Sequence, residues 1–296
     1  MWLYFSLLAP LFFAIVHVID KHCVEEIFEK PWFGMITSAL ASLVILAPLP
    51  YILPFISWNW PSFNIILLAL VAGALIQFSQ GLYFQALDYS EAGIVAAYWN
   101  MVPALVPMLS FFILRQRLTF LEYIGIAILI LVSTAFCLID TNLESRWKSL
   151  LLMFVAGVMQ AIMFLLQDIV YANAGYIESF LIITSGLIIA GCSPLILKNV
   201  RKQFCSEKSV LIPAAKFFVI VEIANLIALA LSQKAVDLGV PSFVAAVEST
   251  IPAYTFVLLI ILTNIFPRFG DPEAKRKIGT KFLLIGMMVF GILLIA

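Results

Sequence analysis

Residues 86–104 read ALDYSEAGIVAAYWNMVPA, and residues 235–253 read AVDLGVPSFVAAVESTIPA. At a fixed offset of 149 the two stretches agree at 7 of 19 positions. The agreements include Asp88 with Asp237, Val95-Ala96-Ala97 with Val244-Ala245-Ala246, and Pro103 with Pro252. A second pair, FGMITSAL (33–40) and FLIITSGL (180–187), agrees at 5 of 8 positions at offset 147. Apolar segments often match by chance. Two matches in the same order at nearly one offset point to a duplication, and the offset is half of the 296-residue chain.

The composition fixes the solvent of each half. Hydrophobic residues make up 64% of the chain and charged residues 11%, with a mean hydropathy of +1.10. A soluble domain carries roughly 25% charged residues, so this chain cannot coat a soluble globule, and its surroundings are largely lipid. The formal net charge of zero excludes a strongly basic nucleic-acid binder and an acidic disordered chain. Cys23, Cys137, Cys192 and Cys205 form no C-x-x-C pair, and His17 and His22 are the only histidines. The sequence therefore predicts free thiols, no disulfide framework, no metal site and no cofactor. No Lys or Arg precedes Lys21 in the apolar N-terminal run, which reads as a retained first helix, not a cleaved signal.

The apolar runs are long and continuous, which predicts helices over a membrane barrel. We expect an all-α membrane protein of ten spans: Trp2–Ile19, Phe33–Ile56, Ile65–Leu87, Ala92–Leu114, Phe120–Ile139, Leu150–Tyr171, Ile177–Leu197, Phe217–Val236, Ser242–Phe266 and Ile278–Ala296. The connections are short turns, and the longest polar stretches are 198–216 and 267–277. With ten spans, fourteen Lys and Arg (Lys281 among them) collect on one face and Arg115, Arg117 and Lys234 on the other. Basic loops stay cytoplasmic, so both termini are expected outside.

Each half, 1–140 and 148–296, then holds five spans. An odd number of crossings makes the second half enter from the opposite face. Such an inverted repeat is the plan of many secondary transporters, with the site near the midplane between repeats.

ALDYSEAGIVAA, the mid-span Pro103 and RQRLTFLEYIGIAILILVS (115–133), with their second-half counterparts AVDLGVPSFVAA, Pro252 and IGTKFLLIGMMVFGILLIA (278–296), resemble the EamA branch of the drug/metabolite transporter superfamily. The resemblance covers essentially the whole chain. It implies export or exchange of amino acids and related metabolites. Two features depart from the family pattern: Gln116 stands where members often carry an acidic residue, and the N-terminal end lacks their basic residues.

Polar groups inside spans cost roughly 2.5–3.5 kcal/mol when ionisable, so they normally face a bundle interior or a wet cavity. Glu248 lies one turn before Pro252, and its repeat mate Trp99 lies one turn before Pro103. Proline removes a backbone donor, so Pro103 and Pro252 mark two paired, partly unwound hinges beside Tyr98, Asn100 and Ser249. For Glu248, a cavity role competes with a hydrogen-bonded helix end. Glu222, Asn225 and Ser232 form a polar stripe, and Gln77, Gln80 and Tyr83 form another in the matching third span. Pore lining competes here with interhelical hydrogen bonding. Glu248, Glu222 and His17 are the proton-coupling candidates, His17 with Asp20 one turn on. Asp88 and Asp237 read as helix-end residues.

These features predict a secondary transporter that moves a small polar or amphipathic metabolite by alternating access in a bacterial inner membrane. Expected partners are the small-molecule substrate and membrane lipid, with no nucleic acid; monomer and homodimer both remain open. No G-x-x-x-x-G-K-[ST] stretch is present. A membrane-embedded enzyme is the rival from another class, but neither H-E-x-x-H nor an Asp-rich lipid-phosphate motif occurs. A lipid-linked carrier flippase shares the fold. A wide apolar lateral opening would favour it.

Overall fold

The computed structural model describes residues 1–26, 30, 33–46, 51, 58–139, 147–265 and 277–296. Every regular element among them is helical. In hydrocarbon each backbone N–H and C=O needs an internal partner, and a helix supplies both. The helices are α1 (Trp2–Glu26), α2 (Phe33–Leu46), α3 (Phe63–Leu87), α4 (Ala92–Trp99), α5 (Val102–Ile113), α6 (Phe120–Leu138) and α7 (Trp147–Asn173). They continue with α8 (Tyr176–Cys192), α9 (Lys198–Ser206), α10 (Lys208–Leu238), α11 (Pro241–Glu248), α12 (Ile251–Ile265) and α13 (Ile278–Ile295).

Nine segments among the described residues are long and apolar enough to cross a membrane, counting α4 with α5 and α11 with α12 as one span each. The expected second span is present as α2, which has 14 residues. Its continuation through 47–50 and 52–56 lies outside the described residues, as do Arg146, Phe266 and residues 268–276 of the second basic cluster.

Two expectations need correction. Residues 198–216 were expected as a polar loop; they form α9 and the first turns of α10. The eighth span thus begins before Phe217, at Leu211, and the helix runs through Pro213 although that residue withholds the N–H that would reach the Ser209 carbonyl. The fourth and ninth spans each break, at Asn100–Met101 and at Ser249–Thr250, beside the prolines where the sequence places unwound hinges. Lys281, counted with the basic loops, is buried in the first turn of α13, with Nζ 5.1 Å from the centre of the Phe256 ring.

The breaks follow from local chemistry. Pro103 cannot donate to the Trp99 carbonyl, nor Pro252 to that of Glu248. The chain tightens instead: Asn100 N–H bonds the Ala97 carbonyl (3.2 Å) and Met101 N–H the Tyr98 carbonyl (3.0 Å). In the second half Ser249 bonds Ala246 (3.2 Å) and Thr250 bonds Val247 (3.0 Å) in the same pattern. The ends of other helices are equally legible. Thr119 and Glu122 form a capping box at the start of α6. Arg115 adopts φ 57° after α5, and Gln116 N–H reaches back six residues to the Ser110 carbonyl at 3.3 Å. That is a helix stop through a left-handed residue, here without the usual glycine.

Packing is tightest between α3 and its neighbours α7 and α8, and between α10 and α1. Helix α2 packs on α8 and α10, α4 and α5 on α7, α11 and α12 on α1, and α6 on α13. Lipid offers no hydrophobic drive for helix association, so small residues that let backbones meet carry much of it. A Cβ on Gly73 would collide with the Ile183 carbonyl of α8, and one on Gly186 with the Leu70 carbonyl of α3. Gly125 of α6 meets the Gly291 carbonyl of α13 in the same way, with 2.9 Å to a built Cβ.

Candidate functional site

Glu248 is the last residue of α11, so the helix end and the chain break coincide at it. It is half-buried, and its Oε1 accepts a hydrogen bond from the Ser232 hydroxyl of α10. In the first half, the positions at the same offset are Trp99 and Tyr83. They too are in contact, as an edge-to-face ring pair with centroids 5.7 Å apart. The two halves thus make the same residue–residue contact beside the same break. One makes it with two aromatic rings, the other with a carboxyl and a hydroxyl.

The aromatic side extends further. His17 of α1 stands edge-on to Tyr83 at 6.2 Å. Tyr98 and Trp99 pack around Val95 and Met153. His17, Tyr83, Tyr98, Trp99 and Glu248 all sit within spans and are all half-buried. The side chain of Asp20, the expected proton partner of His17, lies outside the described side chains.

The remaining sequence candidates divide. Asn100 is buried; its Oδ1 accepts from Ser133 (3.0 Å) and its Nδ2 donates to Thr134 (3.4 Å), which ties the first break to α6. Ser249 is buried and donates to the Ala246 carbonyl at 2.7 Å, within its own break. Gln77 is fully buried and donates to the Met35 carbonyl of α2 at 2.6 Å. Asp88 occupies the C-cap of α3, and Asp237 pairs with Lys234 at 2.5 Å.

The stripe Glu222–Asn225–Ser232 serves two separate places. Ser232 goes to Glu248. Glu222 is buried and accepts from Ser42 of α2 (2.7 Å) and from Asn225 (3.2 Å). Ten residues at 1.5 Å rise put the two places about 15 Å apart along α10. Gln80, expected beside Tyr83, lines the small cavity at Glu222 together with Thr37 and Asn225.

Several polar contacts escaped the sequence. Ser42 is one serine in an apolar run, and only the α2–α10 contact gives it meaning. Gln160 of α7 donates to Ser79 of α3 at 2.7 Å. Glu178 is buried at the start of α8 and accepts from the Asn59 N–H at 3.2 Å. On the exposed surface, α5 and α6 enclose an open groove of about 350 Å³, lined by apolar and aromatic residues that include Pro103, Met108, Phe112 and Tyr123. Among the described residues no cluster of His, Cys, Asp and Glu is arranged to hold a metal.

No curated protein matches the chain. A solved structure, described as the crystal structure of a protein, superposes on all of the chain and 96% of its own length, with a TM-score of 0.69 at 12% sequence identity. That likeness concerns the fold. The EamA-like transporter family, part of the drug/metabolite transporter superfamily, matches residues 1–138. These residues carry α1 to α6, the Tyr83–Trp99 pair and the first helix break. Over residues 1–138, just under half of its length, the chain is thus similar to the EamA-like transporters of the drug/metabolite transporter superfamily.

Proposed function

We propose that the chain is a secondary transporter of ten spans that moves a small metabolite by alternating access between two oppositely inserted halves, 1–140 and 148–296. The observation that carries this reading is the pair of helix breaks, at Asn100–Met101 and Ser249–Thr250, separated by the 149-residue offset of the sequence repeat. Backbone interrupted at membrane depth is tolerated where it lines a cavity or is buried in protein, and discontinuous helices in matching positions mark transporter sites.

The packing supports the same reading. Exchanging the halves turns α3 on α8 into α10 on α2, α3 on α7 into α10 on α1, and α5 on α7 into α12 on α1. All three pairs and their partners pack together, as a two-fold relation requires. Five spans per half make that two-fold axis lie in the membrane plane. Thr37 and Thr184, matched at offset 147, also bond the carbonyl four residues back in the same manner, at 3.2 and 2.8 Å.

Substrate binds at the breaks, between the third, fourth, eighth and ninth spans. Tyr83, Tyr98 and Trp99 supply apolar faces, and Glu248 supplies the ionisable group. Glu248 either pairs with a cationic part of the substrate or carries a coupling proton; exchange of amino-acid-like solutes fits the family. The basic loops face the cytoplasm of a bacterial cell, and both termini lie outside.

The test is uptake and counterflow in proteoliposomes with a metabolite panel, with and without a pH gradient. Glu248→Gln is expected to abolish coupled flux while the purified protein stays monodisperse. Wild-type flux in that variant removes Glu248 from the mechanism.

The α5–α6 groove favours a second reading, a flippase for a lipid-linked carrier, because it is open, apolar and on the exposed surface. Met108→Trp, which fills the groove, stops transport on that reading and leaves metabolite counterflow unchanged on the first.

A further inference from the structure

Glu222 stands where Gly73 stands in the first half, at the offset of 149 carried back along the unbroken helices α10 and α3. The two positions act in opposite ways. At Gly73, α3 and α8 meet backbone to backbone. In the counterpart interface, between α2 and α10, a carboxyl takes the glycine's place. A cavity of about 30 Å³ remains beside it. One water needs roughly 10–15 Å³ by this measure. The space therefore takes one or two water-sized guests and no metabolite.

Most oxygens around this cavity have used their hydrogens elsewhere; the Ser38 hydroxyl, which also lines it, keeps one that it can turn to the carboxyl. The Ser42 hydroxyl and the Asn225 amide both donate to Glu222 Oε1. The Thr37 hydroxyl donates within its own helix, to the carbonyls of Phe33 (3.2 Å) and Gly34 (3.1 Å). Lone pairs remain on Thr37 Oγ1, Asn225 Oδ1 and the carboxyl, and the Gln80 amide adds another acceptor. No Lys or Arg is among the described residues that line the cavity. A buried carboxyl either holds its proton or, once ionised, is met by a compensating charge. One carboxylate is neutralised by one monovalent ion, whereas a divalent ion leaves an excess positive charge. Oxygen ligands suit hard cations.

We propose that this cavity is a binding site for a dehydrated alkali cation, held between Glu222 and the oxygens of Thr37, Asn225 and Gln80. It is distinct from Glu248, about 15 Å further along α10. An ion there joins α2 to α10, whereas the counterpart interface joins α3 to α8 by direct contact. The site thus couples ion occupancy to the packing of one half against the other.

The test is the thermal unfolding midpoint of the purified full chain in sodium, potassium or N-methyl-D-glucamine chloride at equal ionic strength. A saturable rise in sodium or potassium above N-methyl-D-glucamine is expected, and the salt that gives it identifies the ion. Thr37→Val keeps the side-chain shape and removes one oxygen, and it should raise the half-saturating salt concentration at least tenfold. Glu222→Gln should abolish the rise; if that variant does not fold, the Thr37→Val shift decides. Equal midpoints in the three salts overturn the proposal. So does a cation response unchanged in the variants, or a response to acidification alone, which means a water or a proton occupies the space. The measurement uses no substrate, so its failure leaves the transport reading intact, and loss of transport leaves this site intact.

Discussion

At the scale of the residue, the contact between Ser232 and Glu248 is one interhelical hydrogen bond. Such bonds in a bilayer average ~0.6 kcal/mol. Ser232→Ala therefore costs little stability, yet it releases the carboxyl to which the proposed transport cycle assigns the coupling role. We expect coupled flux to fall several-fold with an unfolding midpoint close to wild type. Ser79→Ala, which removes the bond from Gln160, is the control: a similar stability change with normal flux. Trp99, the structural mate of Glu248, offers a ring face at the break. Trp99→Ala should raise KM for the substrate roughly tenfold, as expected for loss of an aromatic contact to a desolvated cationic group. Trp99→Phe should keep most of the affinity. An unchanged KM in the alanine variant would place the substrate elsewhere. Glu248 stands out in the sequence as an ionisable group in an apolar run one turn before a proline, and Trp99 as its mate in the repeat. Their contacts are not legible there. Ser232 continues a stripe with Glu222 in the sequence, and only the fold shows that they turn to different partners, Ser232 to Glu248 and Glu222 to Ser42 and Asn225.

At the scale of the element, the same division recurs. The breaks were announced by Pro103 and Pro252, since a missing N–H is a local property. The helix over 198–216 was not announced, because periodicity is weak where polar residues predominate and Lys208 to Phe217 carries a proline. The close approach of α3 and α8 was also hidden. A glycine in a span has many uses, and the carbonyl it admits lies more than a hundred residues away. The collision predicts a large effect. Gly73→Leu or Gly186→Leu should separate the helices and leave little monodisperse protein on size exclusion. Gly286→Ala, where a Cβ meets nothing within 4 Å, should behave as wild type. The prolines should act on rate more than on stability. Pro103→Ala and Pro252→Ala restore a donor at each break and are expected to stiffen the spans, lowering turnover while the unfolding midpoint rises. Faster turnover in both would argue against the breaks as hinges.

At the scale of the whole molecule, the charge asymmetry and the span count speak to the same topology, since each span dropped reverses the faces after it. Cys205 in α9 is exposed, and the expected orientation puts it in the cytoplasm. A membrane-impermeant maleimide should label it in inside-out vesicles and not in right-side-out ones. The central claim is that the halves enter the membrane from opposite sides. Tyr89 and Leu238 are mates at the 149-residue offset, each near the end of its third-in-half span. The most direct measurement introduces Tyr89→Cys or Leu238→Cys singly into a chain whose native cysteines are replaced by serine. Each is then labelled from one side of the membrane at a time. The account predicts that position 89 reacts from the cytoplasmic side and position 238 from the outside; labelling of both from one side would contradict it.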